Sequence, residues 1–231
     1  MLLLLAATAS AETLQLDYTL RAQGLQVGTR SLKVSYLPSA DGSEDRLLEC
    51  YTELPAADFS QRVSGLSADS LVPGFSARNA QGGELWEVQA ARSQQGLNVS
   101  FSDARGLQAS TLDFSQVNAT TLSLMDPGRS LQGQTQLELL SAETGQVLNG
   151  PLQQLDPETL EIGGQPIAAQ HYLWSPSSGP VHLYYADSGV LLRSTLTLAG
   201  QTLELSLDAP PPARTLDTQL LLGPDVQEES L

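Results

Sequence analysis

The two histidines of this chain, His171 and His182, stand on either side of a turn rich in serine, proline and glycine. Imidazole changes its charge near neutral pH and is a common metal ligand. If "HYLW" and "VHLYY" are neighbouring strands, Trp174 lies opposite Val181, and both imidazoles project diagonally from one face. The two rings are then within reach of each other, as a metal site, a catalytic pair or two structural side chains.

A zinc site normally needs four ligands, and the predicted face adds only Glu204 and Tyr184 near the two imidazoles. The serines at positions 64 and 177–178 do not lie in a nucleophile-elbow motif, and neither H-E-x-x-H nor a phosphate-binding glycine loop is present. We therefore predict no catalytic, metal or cofactor residue and no cofactor. The residues that could contact a ligand or partner, here called the histidine face, are His171, Leu173, His182, Tyr184, Leu191 and Arg193.

The last third of the chain predicts an antiparallel meander of four strands. The two-residue turn Ala199-Gly200 places Leu196 opposite Leu203. The "ADSG" turn places Tyr185 opposite Val190 and Leu183 opposite Leu192. These registers give one apolar face, and they put the histidine face on the opposite side of the sheet.

Alternation of apolar and polar residues recurs along the rest of the chain, whereas helical spacing is almost absent. Near the start, Leu16, Tyr18 and Leu20 share one strand face, and a β-bulge at Gly28 explains why the alternation shifts by one residue in the returning strand. The predicted fold is an all-β single domain, a strongly curved antiparallel sheet or an open or closed barrel. Alternation alone does not give the strand order between residues 55 and 150.

Composition excludes several classes of partner. The chain of 231 residues is 41% hydrophobic, enough for a sizeable core. Its 26 acidic and 11 basic residues give a net charge of −15, which repels the phosphates of nucleic acids. No segment has the length of apolar sequence needed for a transmembrane helix, and the one cysteine, Cys50, excludes an internal disulfide.

The N-terminal residues "MLLLLAATASA" combine a short apolar run with a small-x-small cleavage pattern, which is typical of a signal peptide. A basic first segment is missing, so the alternative is a buried first strand. We predict a signal peptide over residues 1–11 with a truncated basic region, a β domain over 12–208, and a proline-rich junction with an acidic tail over 209–231. The predicted location is the periplasm or the exterior of the cell.

The C-terminal segments "LEIGGQPIAAQHYLW" and "VHLYYADSGVLLRSTLTLAG" resemble part of an uncharacterised family of exported bacterial β-proteins. The matching positions are Gly163, Gly164, Pro166, His171, Tyr172, Tyr185, Asp187, Gly189, Leu191 and Arg193. Leu183-Tyr184-Tyr185 stands where that family usually has leucine-tryptophan-tyrosine. The resemblance implies a periplasmic curved sheet or open barrel, in the style of lipoprotein-localisation carriers, and no known catalytic residue.

Three functions follow as hypotheses. The first is a non-catalytic domain that binds a lipid or another apolar ligand without a cofactor, because both faces of the meander carry apolar residues. The second is an interaction or scaffold module of the cell envelope that docks a protein through Leu173, Tyr184 and Leu191. The third is a hydrolase, which would lose activity when His171 or His182 is replaced.

Overall fold

The computed structural model describes residues 12–38, 44–67 and 72–212. The predicted signal peptide and residues 213–231 of the predicted tail lie outside this part of the chain. The first eight strands are β1 (Thr13–Ala22), β2 (Leu25–Pro38), β3 (Glu44–Leu54), β4 (Phe59–Ser67), β5 (Phe75–Gln81), β6 (Glu84–Arg92), β7 (Gly96–Asp103) and β8 (Gly106–Asp113). The other eight are β9 (Ala119–Thr120), β10 (Gln136–Leu140), β11 (Val147–Gln154), β12 (Glu158–Ile162), β13 (Gln165–Trp174), β14 (Val181–Tyr185), β15 (Leu191–Leu198) and β16 (Gln201–Leu207).

All sixteen described strands belong to one sheet, which confirms the predicted all-β class. The hydrogen-bonded order is β8-β7-β6-β5-β4-β3-β2-β1-β16-β15-β14-β13-β11-β10-β9, and β12 pairs with β13 outside this path. Every pair is antiparallel except the short parallel contact between β9 and β10. The path has two ends, β8 and β9, so the described strands form an open sheet. Two short 3-10 helices, Pro55–Ala57 and Ser123–Met125, interrupt the strands, and no described helix could cross a membrane.

The alternation of the sequence determines which side of each strand is buried. In β1 the side chains of Leu16, Tyr18 and Leu20 are buried, while those of Gln15 and Asp17 are exposed, as predicted. Buried residues from both halves of the path join one hydrophobic core, so the sheet curves around a single interior. The predicted bulge is confirmed, because the register of β1 against β2 shifts between Leu20 and Arg21, beside Gly28.

The predicted meander is confirmed as β13 to β16, and two of its three registers are as predicted. Trp174 lies opposite Val181, and Leu196 lies opposite Leu203. The register predicted for the "ADSG" turn was wrong: Tyr185 lies opposite Leu191, and Leu183 lies opposite Ser194. The turn is one residue longer than predicted, because Val190 belongs to it and its carbonyl oxygen accepts the N–H of Ala186. A bulge between Tyr184 and Tyr185 then adds a second residue to the β15 side.

Residues 117–146, here called the inner segment, lie inside the curve of the sheet. They comprise β9, the second 3-10 helix, β10 and the loop over residues 141–146. Tyr185 Oη donates a hydrogen bond to the carbonyl oxygen of Leu124 at 2.8 Å, and Trp174 Nε1 donates to the carbonyl oxygen of Leu137 at 3.2 Å. The inner segment thus supplies much of the core, with buried side chains at Val117, Ala119, Leu122, Leu124, Met125, Leu131, Leu137, Leu139, Leu140 and Ala142.

Candidate functional site

The two histidines contact each other directly. Nε2 of His171 and Nδ1 of His182 are 2.9 Å apart, because the rings project diagonally from the neighbouring strands β13 and β14. Nδ1 of His171 lies 2.8 Å from Oε1 of Glu158 on β12. The ring of Tyr184 stacks on His171 with a centroid distance of 4.2 Å. Sequence analysis did not identify Glu158 as a partner; it lies on β12, which pairs with β13 along the edge opposite β14.

The carboxylate fixes the tautomer of the pair. Since Nδ1 of His171 faces Glu158, it carries the proton and donates to that carboxylate. Neutral His171 then accepts at Nε2 the hydrogen bond that Nδ1–H of His182 donates. Glu158, His171 and His182 thus form one chain of hydrogen bonds.

The pKa of His171 is shifted by its surroundings. Burial lowers it below the ordinary value near 6.5, the Glu158 carboxylate opposes that effect, and the neighbouring His182 adds to it. The folded protein therefore favours neutral His171. The stability that this group contributes is fully present above about pH 6.5 and is lost as the pH falls through its lower pKa in the folded state.

We expect an NMR titration of the imidazole resonances to give His171 a midpoint below that of an unfolded peptide. The charge of Glu158 and its hydrogen bond raise the pKa of His171, so Glu158→Gln should move the midpoint further down. Glu204→Gln is the matched control, since it removes a carboxylate from β16 and leaves the contact between Glu158 and His171 in place. A midpoint at or above the peptide value, or a rise in Glu158→Gln, would contradict the assignment.

The histidine face forms only in part. His171 is 5% exposed, and the side chains of Leu173, His182, Tyr184 and Arg193 are half-buried. Leu191 was predicted on this face, but the bulge after Tyr184 places it in the core, where it is 3% exposed. The interaction patch predicted from Leu173, Tyr184 and Leu191 therefore lacks one of its members. Within the described residues, no group of three or more His, Cys, Asp and Glu is arranged to hold a metal ion.

A second polar group lies on the buried face of the sheet, and sequence analysis did not identify it. Arg30, Thr52, Gln61 and Asn79, here called the polar row, are direct cross-strand neighbours on β2, β3, β4 and β5. All four are buried. Nε of Arg30 donates to Oγ1 of Thr52 at 2.8 Å, and Nε2 of Gln61 donates to Oδ1 of Asn79 at 2.8 Å.

The polar row supports the loop of the inner segment. Nδ2 of Asn79 donates to the carbonyl oxygen of Ala142 at 3.2 Å. On the next strand, Nε1 of Trp86 donates to the carbonyl oxygen of Glu143 at 2.6 Å. A buried amide and a partly buried indole thus donate to backbone carbonyls of the loop that have no partner in a strand. The loop is thereby held across the interior of the sheet.

A cavity of about 120 Å³ lies between the polar row, the inner segment and the meander. Its polar wall includes Arg30, Gln61, Glu143 and Ser194. Its apolar wall includes Leu124, Met125, Leu139, Trp174, Leu183, Leu196 and Leu205. Ser178 and Thr197 also line it and are exposed, so the cavity opens to solvent on that side.

Glu143 is the acidic group of this cavity. One carboxylate oxygen accepts a hydrogen bond from the backbone N–H of Ala199 at 3.1 Å. Burial raises the pKa of its carboxyl group, while this hydrogen bond and the positive charge of Arg30 oppose the rise. The cavity therefore combines a buried cation, a carboxyl group and an apolar wall, a combination suited to a small amphipathic molecule.

The sequence contained a pattern that would have identified the polar row. Arg30 is in phase with Leu32 and Val34, the buried residues of its strand, and Asn79 is in phase with Phe75 and Ala77. A polar residue at an apolar position of an alternating strand is unusual, and it marks either a buried hydrogen-bond network or a binding site. The cavity itself could not be predicted, because the inner segment lacks alternation.

Residues 68–208 match the domain of unknown function DUF6134. The chain belongs to this family. The match spans β5 to β16 and includes the inner segment, Glu143 and both histidines. It begins after β4, so Arg30, Thr52 and Gln61 lie outside the matched residues of the DUF6134 domain. No curated protein matches the chain.

A solved structure shows the same fold as this DUF6134 protein. It is the crystal structure of a beta-barrel-like protein of domain of unknown function DUF1849 from Brucella abortus, with a TM-score of 0.55 and 11% identity. The alignment covers 88% of the present chain and 98% of the other. This likeness shows a barrel-like fold. The predicted resemblance to an uncharacterised β-protein family is confirmed at that level, while export and likeness to lipoprotein-localisation carriers stay predictions.

Proposed function

We propose that this DUF6134 protein is a non-catalytic binding protein for a small apolar or amphipathic molecule, which occupies the interior cavity. The observation that carries this proposal is the cavity itself, with a mainly apolar wall that includes Trp174, Leu183 and Leu205. Its volume of about 120 Å³ is close to that of an engineered apolar cavity of about 150 Å³ that binds benzene. A cavity of this volume limits the predicted lipid or acyl ligand to a molecule with a short hydrocarbon chain or a single small ring.

Binding is expected to fail when the cavity is filled. Ser194 is buried, lines the cavity and lies opposite Leu183 and Leu205, so Ser194→Leu places a larger side chain in that space. Ser76→Leu is the matched control, because it adds the same side chain at an exposed position of β5. Toluene and 1-pentanol are suitable probes, with binding followed by the fluorescence of Trp174 and by the rise in Tm that a ligand of the folded state causes.

We expect saturable binding in the wild-type protein and in Ser76→Leu, and at least a tenfold loss in Ser194→Leu. If neither probe raises the Tm of the wild-type protein, or if Ser194→Leu binds as well as the control, the proposal fails. Native mass spectrometry of the protein purified from its own cell envelope is a second test. It distinguishes a bound small molecule from the protein partner that the scaffold hypothesis requires.

We also propose that the protein acts in the periplasm or outside the cell. Residues 1–11 support this, since they combine an apolar run with a cleavage pattern. The scaffold and hydrolase hypotheses stay predictions. The scaffold hypothesis requires a patch that now lacks Leu191, and the hydrolase hypothesis requires activity that depends on His171 or His182.

A further inference from the structure

Arg30 is a buried cation at the wall of the interior cavity. It is 5% exposed, and its Nε donates to the hydroxyl of Thr52. Its Nη1 lies 3.8 Å from Sδ of Met125. A hydroxyl and a thioether carry no negative charge, so these two contacts do not compensate the positive charge of the guanidinium. Over residues 12–38, 44–67 and 72–212, no carboxylate lies within ion-pair distance of Arg30.

A buried guanidinium is costly unless an anion compensates it. Among the described residues, Glu143 is the only acidic side chain lining the cavity, and its carboxylate already accepts the N–H of Ala199. Its separation from Arg30 is too large for an ion pair, so the guanidinium retains the capacity to bind an anion that enters from the open side of the cavity. The neighbouring apolar wall would take a short hydrocarbon chain attached to that anion.

We propose that the interior cavity selects small carboxylate anions, with Arg30 as the group that binds the carboxylate and Leu183 and Leu205 among those that contact the chain. This inference rests on the proposed function and names the class of its ligand. Arginine suits the role because its planar guanidinium can donate two parallel hydrogen bonds to one carboxylate. Glu143 opposes the same ligand, since two carboxylates in one small cavity repel each other.

The test compares pentanoate with pentanamide, which has nearly the same shape and no charge. Isothermal titration at pH 7.5 should show pentanoate binding about 10 to 100 times more tightly than pentanamide, the factor expected for a charge-assisted hydrogen bond. Arg30→Met should abolish this preference, so that pentanoate and pentanamide bind the variant with affinities within about threefold of each other. Glu143→Gln should strengthen pentanoate binding relative to pentanamide binding, because it removes the repulsion between two carboxylates.

The outcomes separate this inference from the proposed function. If both compounds bind equally well and Arg30→Met changes neither affinity, the inference is overturned and the proposed function stands. If neither compound binds to the wild-type protein while toluene or 1-pentanol does, the inference is overturned and the proposed function stands. If toluene and 1-pentanol do not bind either, both are overturned. Should Arg30→Met fail to fold, Arg30→Lys keeps the charge without the bidentate geometry, and a reduced preference for pentanoate is expected there. A loss of pentanoate binding in Glu143→Gln contradicts the inference independently of either Arg30 variant.

Discussion

Replacing Asp126 with alanine is expected to lower the free energy of unfolding by about 3 to 5 kcal/mol, the usual cost of removing one partner from a buried ion pair. The Asp126 side chain is 2% exposed. Its carboxylate accepts hydrogen bonds from Nε of Arg46 and the backbone N–H of Gly128, at 2.8 and 2.9 Å, and from the hydroxyl of Ser67. These hydrogen bonds attach the inner segment to β3 and β4, so their loss destabilises the packing of the inner segment against these two strands.

Urea unfolding of three variants measures this effect. Glu49→Ala is the matched control, because it removes a carboxylate from the Lys33–Glu49 pair, in which both side chains are 49% exposed. An exposed pair of this kind contributes at most about 1 kcal/mol. Asp126→Asn keeps an acceptor without the charge, and its stability should lie between those of Asp126→Ala and the wild-type protein. An Asp126→Ala protein as stable as Glu49→Ala would show that the Arg46–Asp126 pair does not hold the inner segment against the sheet.

The parts of the fold that the sequence predicts are those in which local turns decide the pairing. Tight turns near Gly24 and Gly200 leave few registers open, and alternation then selects the one that buries Leu16 and Leu203. The same reasoning fails at the "ADSG" turn. There the bulge after Tyr184 buries both Leu191 and Leu192, and alternation cannot indicate that two consecutive leucines are both buried.

The candidate site was predictable only where it lies within one hairpin. The His171–His182 contact depends on a single turn, so it could be predicted from the pairing of β13 and β14. The interior cavity depends on contacts between residues far apart in the chain, such as Gln61, Glu143 and Ser194. Turn and alternation patterns carry no information about such contacts, although the polar residue Arg30 at an apolar position was visible in the sequence.

Gly189→Ala is expected to destabilise the fold by about 3 kcal/mol, from two effects that add. Gly189 has a φ of +80°, a conformation that costs an alanine about 1 kcal/mol. A β-carbon at this position would also lie 2.0 Å from the carbonyl oxygen of Pro127, so the turn and the inner segment would have to separate. Backbone atoms cannot rotate away as a flexible side chain can, so the clash adds about 2 kcal/mol.

Gly200→Ala separates the two effects. Its φ of +72° is nearly the same as that of Gly189, but no atom lies within 4 Å of the added β-carbon, so only the conformational cost of about 1 kcal/mol applies. The free energies of unfolding of the two variants, measured by thermal and urea unfolding, should therefore differ by about 2 kcal/mol. Pro127 follows Asp126 directly, so Gly189 and the contacts of Asp126 act on the same stretch of the inner segment. The additional loss of stability in Gly189→Ala, compared with Gly200→Ala, therefore measures how strongly this stretch resists displacement. Equal losses of stability in the two variants would mean that the inner segment moves away from the added β-carbon at little cost. Asp126→Ala should then also lower the free energy of unfolding only slightly.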